Sequence, residues 1–257
     1  MQKFNWQESI QPFNEKFNLI IPGNTEVTTE FCVNQFIEVA RTCIDTHGFF
    51  TVAVSGGTTP NAIFAKLSQQ PYRDQVNWSK VRCFWSDERS VAPTDPESNF
   101  GMAMKAGLAA LPIEHLYRMQ GEGEVEENAL EYEKKIIQFV PERKFDLVML
   151  GMGEDGHTAS LFPYTHGLHA ANRLAIANYV PQKNTWRLSL TYECINSAHL
   201  IFIYAMGKGK AAMVAEVLTG PYDPDRLPVQ RVGTAHNKAL WILNDDAAEK
   251  FLIIVKK

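Results

Sequence analysis

No basic stripe, no paired cysteines and no apolar run long enough to cross a bilayer occur in this chain. Each absence removes a class of function. The formal net charge is −4 over 257 residues, with both signs interspersed. Nucleic acid is therefore not expected as a partner, because backbone binding needs clustered Lys and Arg. A local basic pocket for one small anion remains open. The longest apolar runs are strand-sized, well short of the roughly 20 residues of a spanning helix, so no membrane partner is expected. Residues 1–8, MQKFNWQE, lack an apolar leader core, so no secretory signal and a cytoplasmic location are expected. The four cysteines, Cys32, Cys43, Cys83 and Cys194, form no C-x-x-C pair. Cys32 and Cys43 fall in one predicted helix about 16 Å apart along its axis, too far to bridge. Reduced, buried thiols are the expectation.

Cofactor signatures are equally scarce. Ser55-Gly56-Gly57-Thr58-Thr59-Pro60 lacks the spacing and Gly-Lys pair of a Walker A loop, and it is not G-x-G-x-x-G. Ser55 lacks a G-x-S-x-G elbow, and nothing pairs Ser160 with a base. His166 and His169 stand at i, i+3 after His157, but no carboxylate or thiol has ligand spacing around them. Neither a metal nor an organic cofactor is expected.

What the chain does have is alternation of strand-like and helix-like segments. Strands are predicted at 17–21, 49–54, 81–85, 147–150, 175–180, 186–190, 200–204 and 239–243. Cys32, Phe36, Val39, Ala40 and Cys43 form one apolar stripe of a helix over 28–46, with Gly48 at the C′ position. Further helices are predicted after Pro60 and over 100–111, 125–139, 208–218 and 246–251, with a loop over 90–99. This pattern predicts an α/β fold: a mainly parallel, Rossmann-like sheet with helices on both faces, in a single domain over residues 1–257. The runs 186–190 and 200–204, joined by a short link, can form a small antiparallel excursion.

Three loops that follow apolar runs carry the chemistry, and parallel strands would place all three at one sheet edge. In the first, Gly56 and Gly57 let a ligand approach the backbone, and N–H groups opening a helix make an anion nest. Ser55, Thr58 and Thr59 add hydroxyls. In the second, Asp87-Glu88-Arg89, the Arg89 fork suits a phosphate, while Asp87 or Glu88 would orient it or hold sugar hydroxyls. Both segments also read as an ordinary turn and a solvated loop. The third, Gly151-Met152-Gly153-Glu154-Asp155-Gly156-His157-Thr158, is the sharpest. His157 can take a proton from water, Asp155 can fix its tautomer, and Gly151, Gly153 and Gly156 can offer N–H groups to an oxyanion. Arg187, in a strand-like run, would need an anion if buried. Lys210 is either a second cation or a plain exposed helix lysine.

At these segments the chain resembles the 6-phosphogluconolactonases of the glucosamine-6-phosphate isomerase/lactonase superfamily. The motifs are Ser55-Gly56-Gly57-Thr58-Thr59-Pro60, Asp87-Glu88-Arg89 with Pro96-Glu97-Ser98-Asn99, and Gly151 through Thr158 continued by Ala159-Ser160-Leu161-Phe162-Pro163. Isomerase-deaminases of the superfamily continue the Gly-His core differently and usually lack an arginine at the Arg89 position. The resemblance implies hydrolysis of 6-phospho-D-glucono-1,5-lactone in the oxidative pentose phosphate pathway, without metal or cofactor. By position it makes His157 the catalytic histidine beside Asp155, and it lines the phosphosugar site with Gly56, Gly57, Thr58, Arg89, Arg187 and Lys210. Two departures stand out. Asp95 occupies a position that is often histidine, and Asn184-Thr185-Trp186 lacks the usual proline before the Arg187 segment. The expected mechanism is general-base attack of water on the lactone, the partner a small phosphosugar lactone, and the assembly a monomer or weak homo-oligomer. The rival readings are an amino-sugar-phosphate isomerase or deaminase and a non-catalytic phosphosugar sensor.

Overall fold

Leu147, Val148, Met149 and Leu150 show how the sheet is built. Leu147 and Met149 pack into one apolar cluster, and Val148 and Leu150 into another on the opposite face. Side chains alternate across a strand, so a continuous apolar run is a strand covered on both sides. Burying each of these side chains contributes roughly 1.5–3 kcal/mol. Phe202 and Tyr204 against Ile201 and Ile203 repeat the pattern, as do Leu240 and Ile242 against Trp241 and Leu243.

The computed structural model describes residues 9–256, so the expectation about the N-terminal stretch lies outside the described residues. The strands in chain order are β1 (Gln11–Pro12), β2 (Phe17–Ile20), β3 (Phe50–Val54), β4 (Val81–Trp85), β5 (Asp87–Arg89), β6 (His115–Tyr117), β7 (Leu147–Gly151), β8 (Ala175–Val180), β9 (Thr185–Leu190), β10 (Leu200–Ala205) and β11 (Ala239–Leu243). The helices are α1 (Thr25–His47), α2 (Thr58–Leu67), α3 (Asn99–Ala106), α4 (Val125–Phe139), α5 (Tyr192–Ser197), α6 (Ala211–Thr219) and α7 (Asp245–Val255). An eight-stranded sheet runs β1-β2-β11-β10-β7-β3-β4-β6, parallel except at the β1–β2 edge. Residues of α1, α2 and α3 join the cluster on one face, and those of α4, α5, α6 and α7 the cluster on the other. The α/β class with helices on both faces is as the sequence predicts.

Four differences have identifiable causes. The antiparallel excursion exists, but it is the sheet β5-β9-β8, and β10 lies inside the parallel sheet. The six-residue α5, capped by the Thr191 hydroxyl accepting from Cys194 N, separates β9 from β10. Such a short helix leaves no periodicity to read. The charged segment Asp87-Glu88-Arg89 is strand rather than loop, because β9 supplies its pairing partner. The helix expected over 100–111 ends at Ala106. Gly107 has φ 149°, and a Cβ there would come within 2.5 Å of the Phe64 carbonyl oxygen. At the other end of the chain's first helix, Asn24 caps α1 by accepting from Val27 N, so α1 starts three residues before the predicted 28.

β3 connects through α2 to β4 on one side, and β7 lies on the other side of β3. The connection into β7, through α4, runs over the opposite face. The strand order therefore reverses between β3 and β7. Loops leaving the carboxyl ends of two such strands diverge and open a crevice, the usual ligand position in an open α/β sheet.

Candidate active site

The loop after β3 is held from below and open from above. The Ser55 hydroxyl is buried, donates to the Met149 carbonyl at 2.8 Å and lies 2.6 Å from the Ser86 hydroxyl. Ser55 thus ties β3 to β7 and β4, and its hydroxyl donor, expected from the sequence to face a ligand, is used within the fold. Gly57 is the N-cap of α2 with φ 107°, and a Cβ there would meet nothing within 4 Å. No side chain caps α2. The first N–H groups of a helix have no intrahelical partner, so Thr58 and Thr59 present donors beside an open approach. Thr58 is exposed.

β5 brings a different chemistry. Glu88 is buried and turns away from the crevice into the N-terminus of α3. Its carboxylate accepts from Arg89 N, Asn99 N, Phe100 N and the Ser98 hydroxyl at 2.7–3.0 Å. Burial pushes this carboxyl up, against the pull of its backbone donors. Glu88 holds α3 in place and does not orient Arg89. The Asn99 side chain donates to the Asp87 carbonyl, and its Oδ1 is buried without a partner. A Cβ on Gly56 would lie 1.9 Å from that Oδ1, so the close approach of Asn99 requires glycine there.

Arg89 and Arg187 are register partners across β5 and β9. Arg89 donates through Nη1 to the Glu97 carbonyl, and both Nε atoms are buried without an acceptor. Among the described residues neither makes a salt bridge. Burial and the charge of Arg89 hold the Arg187 guanidinium below its ordinary range. Two opposed cations with buried, unpartnered donors have the chemistry to receive an anion.

The loop after β7 carries His157 and Asp155. His157 Nδ1 lies 2.5 Å from Asp155 Oδ1, and the ring stacks on Phe162 at 4.0 Å between centroids. Burial works to raise the Asp155 carboxyl, but the hydrogen bond and charge of His157 hold it below the usual range. An ionised carboxylate only accepts, so this contact orients the ring through Nδ1 and leaves Nε2 outside the pair. Gly153 N donates to the His157 carbonyl and Gly156 N to the Gly153 carbonyl. These two glycines therefore shape the loop and are removed as oxyanion donors. Gly151 closes β7, and a Cβ there would meet open space.

Two links tie the loops together. Ser160, which follows the histidine loop, donates its hydroxyl to the buried Asp87 carboxylate at 2.7 Å. Ser160 is thus a brace between loops, a role that its sequence context does not signal. The loop after β10 carries Lys210, partly exposed and without a salt bridge among the described residues. A Cβ on Gly209 would lie 3.7 Å from Glu154 Oε1, which sets this loop beside the histidine loop. His166 and His169, by contrast, lie in a 3-10 turn, where His169 faces Asp225 at 3.6 Å.

An open α/β sheet with uncapped helix N–H groups, two arginines without salt bridges among the described residues and a carboxylate-held histidine at its switch point defines a class: an α/β protein whose small-molecule site lies at the carboxyl ends of its strands. The profile of the glucosamine-6-phosphate isomerases/6-phosphogluconolactonase family matches residues 23–241. The chain belongs to that family. It is 35% identical over 240 residues to a 6-phosphogluconolactonase of Chlamydia trachomatis serovar D, covering 92% of this chain and 91% of that one. Among solved structures it is similar to the devB protein, with a TM-score of 0.83, 29% identity and coverage of 91% and 99%. A monomeric glucosamine-6-phosphate deaminase shares the fold alone, with a TM-score of 0.75 at 16% identity and coverage of 90% and 99%.

Proposed function

We propose that this chain is an enzyme that hydrolyses 6-phospho-D-glucono-1,5-lactone to 6-phosphogluconate, the lactonase step of the oxidative pentose phosphate pathway. The family membership and the lactonase name carried by a 35% identical relative support the reaction. The single structural observation that carries the mechanism is the Asp155–His157 pair, which leaves Nε2 free, after the strand adjacent to the one that leads into α2.

The N–H groups at the start of α2, with Gly56, Gly57 and Thr58, and the cations Arg89, Arg187 and Lys210 hold the 6-phosphate. His157 Nε2 takes a proton from water as the water oxygen bonds to the lactone C1. Asp155 stabilises the imidazolium that results. The C1–ring-oxygen bond then breaks, and the imidazolium returns its proton to the departing ring oxygen. Gly151 is the remaining backbone candidate for the oxyanion. General-base assistance of this kind is worth about 10²–10⁴-fold in rate. All these residues come from one chain, which we take as a single-domain unit, working as a monomer or weak homo-oligomer in the cytoplasm. No helix among the described residues is long and apolar enough to cross a membrane.

The test is a coupled assay in which the lactone is generated enzymatically from glucose 6-phosphate and its disappearance is followed with and without this protein. Acceleration that survives in His157→Ala at the wild-type rate overturns the mechanism. No acceleration, together with ammonia release from glucosamine 6-phosphate, overturns the reaction in favour of the deaminase. Binding of 6-phosphogluconate without either activity favours the sensor.

A further inference from the structure

Three side chains of differing chemistry converge at the amino-terminal edge of the sheet, opposite the loops described above. Cys43 and His47 stand one turn apart near the end of α1, and Asp146 immediately precedes β7. Their sulfur, ring nitrogen and carboxylate oxygen all lie within 4.8 Å of one another. Among the described residues this is the group of three such side chains close enough to share an ion.

The spacing approaches that of a tetrahedral zinc site. With Zn–S about 2.3 Å and Zn–N or Zn–O about 2.0–2.1 Å, neighbouring ligand atoms are about 3.3–3.6 Å apart. His47 Nε2 already lies 3.2 Å from Asp146 Oδ1. The surroundings orient the ligands as metal sites do. The other carboxylate oxygen, Asp146 Oδ2, accepts from Thr51 N at 2.7 Å and from the Thr51 hydroxyl at 2.8 Å. The His47 ring packs against Phe49 at 4.5 Å. Asp146 is 8% exposed and His47 36%, so the group is fixed on its inner side and open to water on its outer side.

We propose that Cys43, His47 and Asp146 bind a divalent cation of the zinc type, with water completing the coordination. Thiolate with imidazole selects a borderline-soft ion, since magnesium and calcium take oxygen ligands. The thiol proton passes to solvent as the metal binds. The site is structural. β3 and β7 pair in register only at Val52↔Leu147 and Ala53↔Val148, and the cation clamps the end of α1 onto this short junction. His157, His166 and His169, the histidines with ligand-like spacing in the sequence, lie elsewhere. Asp146 is 99 residues from His47, so spacing does not reveal it.

The test titrates EDTA-treated full-length protein with Co2+ alone and then with Zn2+ alone. The expected result is one Co2+ per chain with a thiolate-to-cobalt absorption band, displaced by one Zn2+, and a raised melting temperature with Zn2+. Cys43→Ser and His47→Ala each lose the band and weaken binding about 100-fold, while keeping the wild-type melting curve in EDTA and the wild-type lactonase rate. The other three cysteines are buried, so a band that persists in Cys43→Ser overturns the assignment. So does the absence of stoichiometric binding in the wild type, which leaves a His47–Asp146 ion pair beside a thiol. If Cys43→Ser unfolds in EDTA, His47→Ala decides alone, because its exposed side chain can be removed without opening the core.

Discussion

Arg89 and Arg187 stand directly opposite each other across the β5–β9 pair, each with a buried Nε–H that has no acceptor. Like charges in this position destabilise a sheet unless an anion lies between them. Replacing Arg187 with leucine is therefore expected to leave the melting temperature of the unliganded protein unchanged or raised. It should raise the KM for the phosphorylated lactone about 10–100-fold, since a charged hydrogen bond contributes about 1.5–3 kcal/mol. Phosphate should stabilise the wild type and not Arg187→Leu. A variant that melts several degrees lower with unchanged KM makes Arg187 a scaffold residue instead.

The second prediction concerns Gly153. A Cβ there would lie 2.0 Å from His157 Nδ1 and 2.6 Å from Asp155 Oδ1. Gly153→Ala should push the ring out of its pair with Asp155 and lower kcat by about 10²–10⁴-fold, as His157→Ala should, while KM changes little. Thermal melting of the same preparation checks that the fold survives. Wild-type kcat in Gly153→Ala would falsify the geometry assigned to the pair.

Acid should act on the pair from the Asp155 side. The folded state holds this carboxyl below its usual value, so it favours the ionised form. The stability it contributes is complete above the unfolded value of about 3.9 and is lost as the pH falls through the lower folded value. The side chain is 43% exposed, so the effect is small. Melting temperatures of wild type and Asp155→Asn should differ at neutral pH and converge on acidification below about pH 4. A difference that grows in acid contradicts the sign.

Glu88 should behave as a structural group despite its place in the charged segment. Each of its oxygens accepts from two donors. In Glu88→Gln one oxygen becomes an amide that faces donors, which should cost about 1–3 kcal/mol of stability. Denaturant unfolding measures this. A stable Glu88→Gln that loses activity would place the carboxylate in the site after all.

Much of this was legible because it is local. Val54, Trp85 and Leu150 end apolar runs, and glycine or charge follows each within two residues. The pairing of His157 with Asp155 needed only two residues' separation and a glycine to admit the ring. Ser55, Gly153, Gly156 and Glu88 have roles in the fold that the sequence does not show, for one shared reason. Their donors or acceptors are consumed by Ser86, His157, the Gly153 carbonyl and the N-terminus of α3, and such partners follow from folded geometry.

The sequence by itself determined the layers, the end of α1 at Gly48 and the glycine loops after β3 and β7, because periodicity, capping and glycine act over a few residues. Only the tertiary structure decided that Arg89 faces Arg187, that Asn99 presses on Gly56, and that Cys43 and His47 meet Asp146. Those contacts join residues 98, 43 and about 100 positions apart. They depend on strand register and helix placement, where a one-residue slip turns a side chain to the other face.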